Sequence, residues 1–214
     1  MTAPYRTIAR PGSIELEIRK SRFICTIARA HSDEEARAFI ADLKKRYWDA
    51  SHNCSAYVLG DRGDIQRTSD DGEPSGTAGV PMLNVLLKRG VTDTVAVVTR
   101  YFGGIKLGAG GLIRAYGQAV SDAIDAVGIV ERRELSQVAI TVSFEDAGRL
   151  ENTLRSEGRE PDDVAYAENV TILLTLDPAD VPGLETLVAE QTSGRATVEQ
   201  RQSVYAEVPY VAEG

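Results

Sequence analysis

The chain has 214 residues, of which 43% are hydrophobic and 26% charged, and a formal net charge of −8. These proportions suit one large or two small globular domains that need no staples. No apolar run approaches the roughly 20 residues of a membrane helix. The opening MTAPYRTIARPGSIELEIRK has no signal-peptide pattern, so a cytoplasmic protein with no membrane association is expected. Cys25 and Cys54 form no CxxC pair and are expected to be free thiols. Charge is unevenly placed: residues 1–133 hold 19 Lys and Arg against 16 Asp and Glu, a balance of +3. Residues 134–214 hold 5 against 16, a balance of −11, and no lysine. Contact with a polyanion therefore belongs to the first part, and the second would repel it.

In chain order, IELEI (14–18) and RFICTIA (22–28) read as strands around the polar turn 19–21. Ser32 and Glu35 form a capping box for a helix to about Tyr47, with an apolar stripe of Ala36, Phe39, Ile40, Leu43 and Tyr47. CSAYVLG (54–60) is a short strand. After a polar loop, Ser75 or Thr77 is placed to cap a helix with Pro81 near its first turn, ending at Gly90. TDTVAVVTRYF (92–102) is a buried strand by its valine content. One of Tyr101 and Phe102 is expected to point inward, because neighbours on a strand alternate. Leu112, Tyr116, Ala119, Val120, Ala123, Ile124 and Val127 repeat at three and four, which predicts a long amphipathic helix. The first domain, 1–133, is expected to close near Val130 to Arg133.

The second domain, 134–214, reads βαββαβ. QVAITVSF (137–144) alternates as a strand, and Ser143 with Asp146 caps a helix carrying Ala147, Leu150 and Leu154. A weak strand near DVAYA (163–167) precedes a clear one at NVTILLTL (169–176). Leu184, Leu187 and Val188 mark a second helix stopped at Gly194, and ATVEQRQSVYAEV (196–208) alternates again. The order predicts a ferredoxin-like sandwich.

Three stretches carry residues of chemical interest. RYFGGIKLGAGGLIRAY (100–116) contains no P-loop, and Ile113 breaks the G-x-G-x-x-G dinucleotide fingerprint. What remains is a strand, a glycine turn and a helix start, with Arg100, Lys106 and Arg114 around it. Backbone N–H groups of Gly103, Gly104, Gly108, Gly110 and Gly111 with these cations could bind an anion, and Tyr101 or Phe102 could stack on a base. Equally, the glycines could serve only a tight crossover. RTSDDGEPSGTAG (67–79) holds Asp70, Asp71 and Glu73, with Ser75 and Thr77 following. These acids could form a metal or acid–base site, and a turn with a helix cap is the favoured alternative. In SHNCSAY (51–57), His52, Asn53 and Cys54 lack a third orienting group, so a structural histidine is expected rather than a nucleophile pair. No metal centre and no cofactor are expected.

Together, EIRKSRFI (17–24), SHNCSAY (51–57), DDGEPSGTAGVPML (70–83) and VVTRYFGGIKLGAGGLIRAY (97–116) resemble the IMPACT/YigZ family, as four motifs in order across the first domain. The resemblance implies an α/β (α+β) chain. Its first domain would have the two-layer fold of the second domain of a small-subunit ribosomal protein. Its second would be ferredoxin-like, similar to the last domain of elongation factor G. Eukaryotic relatives of the first domain act in translational control, through an N-terminal module that this chain is expected to lack. The expectation is a cytoplasmic, non-enzymatic translation regulator that binds RNA or the ribosome through Arg100, Tyr101, Phe102, Gly103, Gly104, Lys106, Gly108, Gly110, Gly111 and Arg114. The alternative is an enzyme, such as a hydrolase, or a protein binding a phosphorylated metabolite or metal through Asp70, Asp71, Glu73, Ser75, Thr77, His52 and Asn53. A protein–protein adaptor is the third reading, with protein partners docking on the acidic second domain.

Overall fold

The computed structural model describes residues 4–210; residues 1–3 and 211–214, which the two sequence-based domain ranges include, lie outside it. The chain divides into two compact units. One runs to Arg132 and takes in the chain again from Glu207; the other is Arg133–Ala206.

The first unit contains β1 (Tyr5–Ile8), β2 (Gly12–Ile18), β3 (Ser21–Arg29), α1 (Asp33–Arg46), β4 (His52–Leu59), β5 (Ile65–Ser69), α2 (Gly79–Lys88), β6 (Thr94–Tyr101) and α3 (Ala109–Val127). It ends in the start of β7 (Ile129–Val142), where Ile129–Arg132 pair antiparallel with β1. Its main sheet has the order β2-β3-β6-β4-β5, antiparallel throughout. Arg19 and Lys20 both adopt positive φ, the geometry of a two-residue hairpin turn, so β2 and β3 meet at Ile18 and Ser21.

Alternation along the strands sends Phe23, Cys25, Ile27, Cys54, Ala56, Val58, Ala96 and Val98 to one face. There they pack on Met82 and Leu86 of α2 and on the α3 stripe from Leu112 to Val127. The reverse face is smaller: Tyr57, Leu59 and Val95 meet Ala36 of α1. The Ser32 hydroxyl accepts from the Glu35 N–H as the sequence predicts, but the Glu35 carboxylate reaches back to the N–H of His31 instead of Ser32. Two strands differ from the sequence reading. β1 and β5 are short and lack a clean apolar alternation, β5 being exposed along most of its length.

The second unit holds the rest of β7, then α4 (Phe144–Ser156), β8 (Asp163–Tyr166), β9 (Val170–Leu176), α5 (Val181–Thr192) and β10 (Thr197–Pro209) as far as Ala206. β7 pairs with β9 and with β10, and β8 with β9, giving the order β10-β7-β9-β8 of a ferredoxin-like sheet. Val138, Ile140, Ile172 and Leu174 pack on Leu150, Leu154, Leu184 and Val188 of the two helices. Ser143 caps α4 by accepting from the Asp146 N–H. α5 stops at Ser193 and Gly194, both at positive φ.

Candidate functional site

The acidic loop between β5 and α2 forms a tight turn, with Asp71 and Gly72 at positive φ and the Glu73 N–H donating to the Asp70 carbonyl. Each of its carboxylates faces inward. The Asp70 carboxylate accepts from the N–H groups of Gly76 (2.8 Å), Ala78 (3.1 Å) and Gly79 (2.8 Å). Asp70, and neither Ser75 nor Thr77, therefore caps α2. The helix begins after Ala78, which has no capping side chain, while the Thr77 hydroxyl donates to the Pro74 carbonyl and Ser75 is exposed. Burial works to raise the Asp70 pKa, but the three N–H donors hold it below the ordinary carboxylate value. Asp71 is governed the same way: burial pushes it up, and Lys44 Nζ (2.5 Å) with the Asn53 N–H (2.6 Å) brings it down.

Glu73 lies deepest. Arg100 Nη1 donates to its Oε1 at 2.6 Å and the Tyr116 hydroxyl to the same oxygen at 2.7 Å, while His52 Nε2 lies 3.8 Å from Oε2. His52 Nδ1 donates to the Asp71 carbonyl, which fixes the ring between loop and strand. Asn53 is held by Thr99, which donates to its Oδ1, and by the Tyr47 carbonyl, which accepts from its Nδ2. Cys54 is buried beside Tyr116, and burial pushes its thiol up to about 12, the opposite of a reactive cysteine. The three carboxylates of the acidic cluster are thus engaged as a helix cap, a bridge to α1 and a buried ion pair.

Arg100 is turned inward with them. Strand parity places it on the face of Ala96 and Val98, inside the unit and 5% exposed, where Glu73 is its counter-ion. It does not present its charge on the surface. The expectation that Tyr101 or Phe102 points inward also fails. Tyr101 lies on the opposite parity and donates its hydroxyl to Asp49, and Phe102 follows the end of the strand at 50% exposure. Two cation–ring contacts tie the layers: the Arg100 guanidinium stands 5.3 Å from the Phe23 ring and 5.5 Å from the Phe102 ring.

The acidic loop and the glycine-rich turn do share a cleft, of about 330 Å³, lined by Glu73, Pro74, Arg100, Phe102, Lys106, Leu107, Gly108, Ala109 and Leu112. Two glycines show how the turn is built. A Cβ on Gly103 would stand 2.0 Å from the Lys20 carbonyl oxygen, so only glycine lets the β2–β3 turn close against it. Gly110 has no such constraint: its φ is not positive, and a Cβ there would meet only Arg114 Nη1, at 3.8 Å. Gly104 and Gly108 have positive φ, and Gly111 packs on Leu107. α3 starts without a capping side chain, so N–H groups of its first turn have no partner inside the helix. Lys106 and Arg114 are exposed. Sequence reasoning missed Trp48, which is 82% exposed just beyond the end of α1. It sits in a turn bound to this region by Tyr101–Asp49, by the Phe102 N–H donating to Ser51 Oγ, and by the Ser51 N–H donating to the Arg100 carbonyl.

Comparison with known proteins agrees with both units. The Impact N-terminal domain matches residues 19–124, and a domain of unknown function, DUF1949, matches residues 140–195. IMPACT family member YvyE of Bacillus subtilis (strain 168) is 45% identical over 97% of this chain and 95% of its own. IMPACT family member YigZ of Escherichia coli (strain K12) is 36% identical over 87% of this chain and 92% of its own. A crystal structure described only as that of a hypothetical protein superposes with a TM-score of 0.59 at 32% identity, covering 94% of this chain and 99% of that one. With identity at this level over nearly the full length of its relatives, the chain belongs to the IMPACT family.

Proposed function

We propose that this protein is a cytoplasmic translation regulator that binds RNA or the ribosome through its first unit. One observation carries the reading: the edge around the glycine-rich turn exposes aromatic and cationic groups together. Phe102 and Trp48 stand out of the surface, with Lys106 exposed on the glycine-rich turn, Arg114 on the α3 helix that follows it, and Arg19 and Lys20 on the hairpin packed against it. Stacking rings combined with cations suit single-stranded nucleic acid, and the +3 balance of residues 1–133 favours that partner over the −11 balance beyond. The interaction residues are Tyr101, Phe102, Lys106, Arg114 and the backbone of Gly103, Gly104, Gly108, Gly110 and Gly111. No helix among the described residues is long and apolar enough to cross a membrane. Asp70, Asp71 and Glu73 are all engaged in internal bonds, which supports the RNA or ribosome reading over the enzymatic one.

Trp48 is the only tryptophan, so its emission reports directly on this edge. Titration of the full chain with single-stranded RNA should quench it, with an affinity that falls steeply as salt rises. Co-sedimentation with purified ribosomes at low and high salt provides a second readout. No quenching and no co-sedimentation even at low salt would overturn the proposal.

A further inference from the structure

We infer that the cleft between the acidic loop and the glycine-rich turn receives one unpaired nucleotide of an RNA strand, its base on Phe102 and its phosphodiester at Lys106 and the start of α3. The inference rests on the RNA reading above and names the part of the RNA that this cleft takes. Three independent features converge on it. The walls from Pro74, Phe102, Leu107, Ala109 and Leu112 are apolar and end in one half-exposed aromatic ring, the surface a flat base covers best. The mouth is cationic and rich in donors, because Lys106 and the uncapped first turn of a 19-residue helix border it. The floor holds Arg100, nine-tenths buried, whose Nε has no hydrogen-bond partner among the described residues even though Nη1 and Nη2 are engaged. A buried guanidinium N–H left open beside a cleft marks an acceptor still to arrive.

Charge decides what kind of nucleotide fits. Within the lining, Glu73 cancels Arg100, so Lys106 leaves the cleft a net charge of about +1. An internal phosphodiester carries one negative charge and matches it; a terminal phosphate monoester carries nearly two and does not. The cleft volume of about 330 Å³ has room for one base and its sugar, not for a duplex. Trp48, Lys20 and Arg19, on the turns bonded to or packed against this edge, provide the surface along which the strand would continue.

Fluorescein-labelled octauridylate and octaadenylate are titrated into the full chain by anisotropy at several salt concentrations, with free AMP and a matching RNA duplex as competitors. Phe102→Ala should weaken both single strands about tenfold. Lys106→Gln should make the salt slope shallower by about 0.7. Neither residue is buried, so unchanged thermal unfolding will certify that both variants are folded. If the single strands bind but Phe102→Ala and Lys106→Gln behave as wild type, the cleft assignment falls while the RNA reading stands. If AMP or the duplex competes as well as a single strand, the assignment to an unpaired internal nucleotide is overturned. If no RNA binds at about 50 mM salt, the cleft assignment falls, and the broader proposal then stands or falls on ribosome co-sedimentation.

Discussion

The acidic loop and the glycine-rich turn face each other across one cleft and use their residues in opposite ways. In the loop, the groups with the most chemical promise are turned inward: Asp70 holds three backbone N–H groups, Asp71 bridges Lys44 and Asn53, and Glu73 neutralises Arg100. In the turn, glycine and apolar residues leave Phe102, Lys106 and an uncapped helix start open to solvent. A carboxylate cluster is therefore a poor guide to function when backbone donors and a buried cation lie within its reach. The open groups are those whose partners the fold does not provide.

The contrast can be broken most forcefully at Glu73. Glu73→Ala strands Arg100 in the core without a counter-ion and takes away the acceptor of the Tyr116 hydroxyl, a loss expected at about 3–5 kcal/mol by calorimetry. Replacing the pair together, Glu73→Leu with Arg100→Met, should be less damaging than either single change, because no buried charge is left alone. Asp70→Ala comes next, at roughly 2–4 kcal/mol, for the cap and the N–H groups it leaves unsatisfied.

The same loop predicts a pH dependence. Asp70 and Asp71 have folded pKa values below their ordinary 3.8, so their contribution is complete above that value. It disappears as pH falls through the lower folded values. Melting temperature should therefore be insensitive to these groups near neutrality and drop below about pH 4, and Asp70→Asn should flatten part of that acid limb. An acid limb identical in Asp70→Asn and wild type would remove the carboxylate from the cap.

On the glycine side the expected effects are smaller and separate packing from ligand approach. Gly103→Ala forces a Cβ against the Lys20 carbonyl and should cost about 1–3 kcal/mol as the hairpin shifts. Gly110→Ala meets no obstacle inside a helix and should be neutral or stabilising by up to about 1 kcal/mol. If that stabilised variant loses RNA affinity in the anisotropy titration, the backbone at Gly110 is approached by the ligand; unchanged affinity places the strand elsewhere along the turn.

Much of this was legible from local patterns. The α3 stripe, the capping of α1 and α4 by Ser32 and Ser143, and the βαββαβ order of the second unit follow from periodicity and cap chemistry, which act over a few residues. β1 and β5 were not: β1 is held by pairing with β7, far along the chain, and β5 is a short edge strand on β4 whose exposed residues show no apolar alternation. The exposure of Trp48 could have been found, since it follows the last residue of the predicted apolar stripe, Tyr47, and belongs to no apolar repeat.

By itself, the sequence determined every element but β1 and β5, the family motifs and the concentration of positive charge in the first part, all of which depend on neighbouring residues or on sums over them. Only the tertiary structure decided that Arg100 turns inward while Phe102 turns out. That choice depends on the parity of β6 against its neighbours and on Glu73 arriving from a loop 27 residues away. The fate of a charge is set by which partner the fold brings within hydrogen-bonding distance.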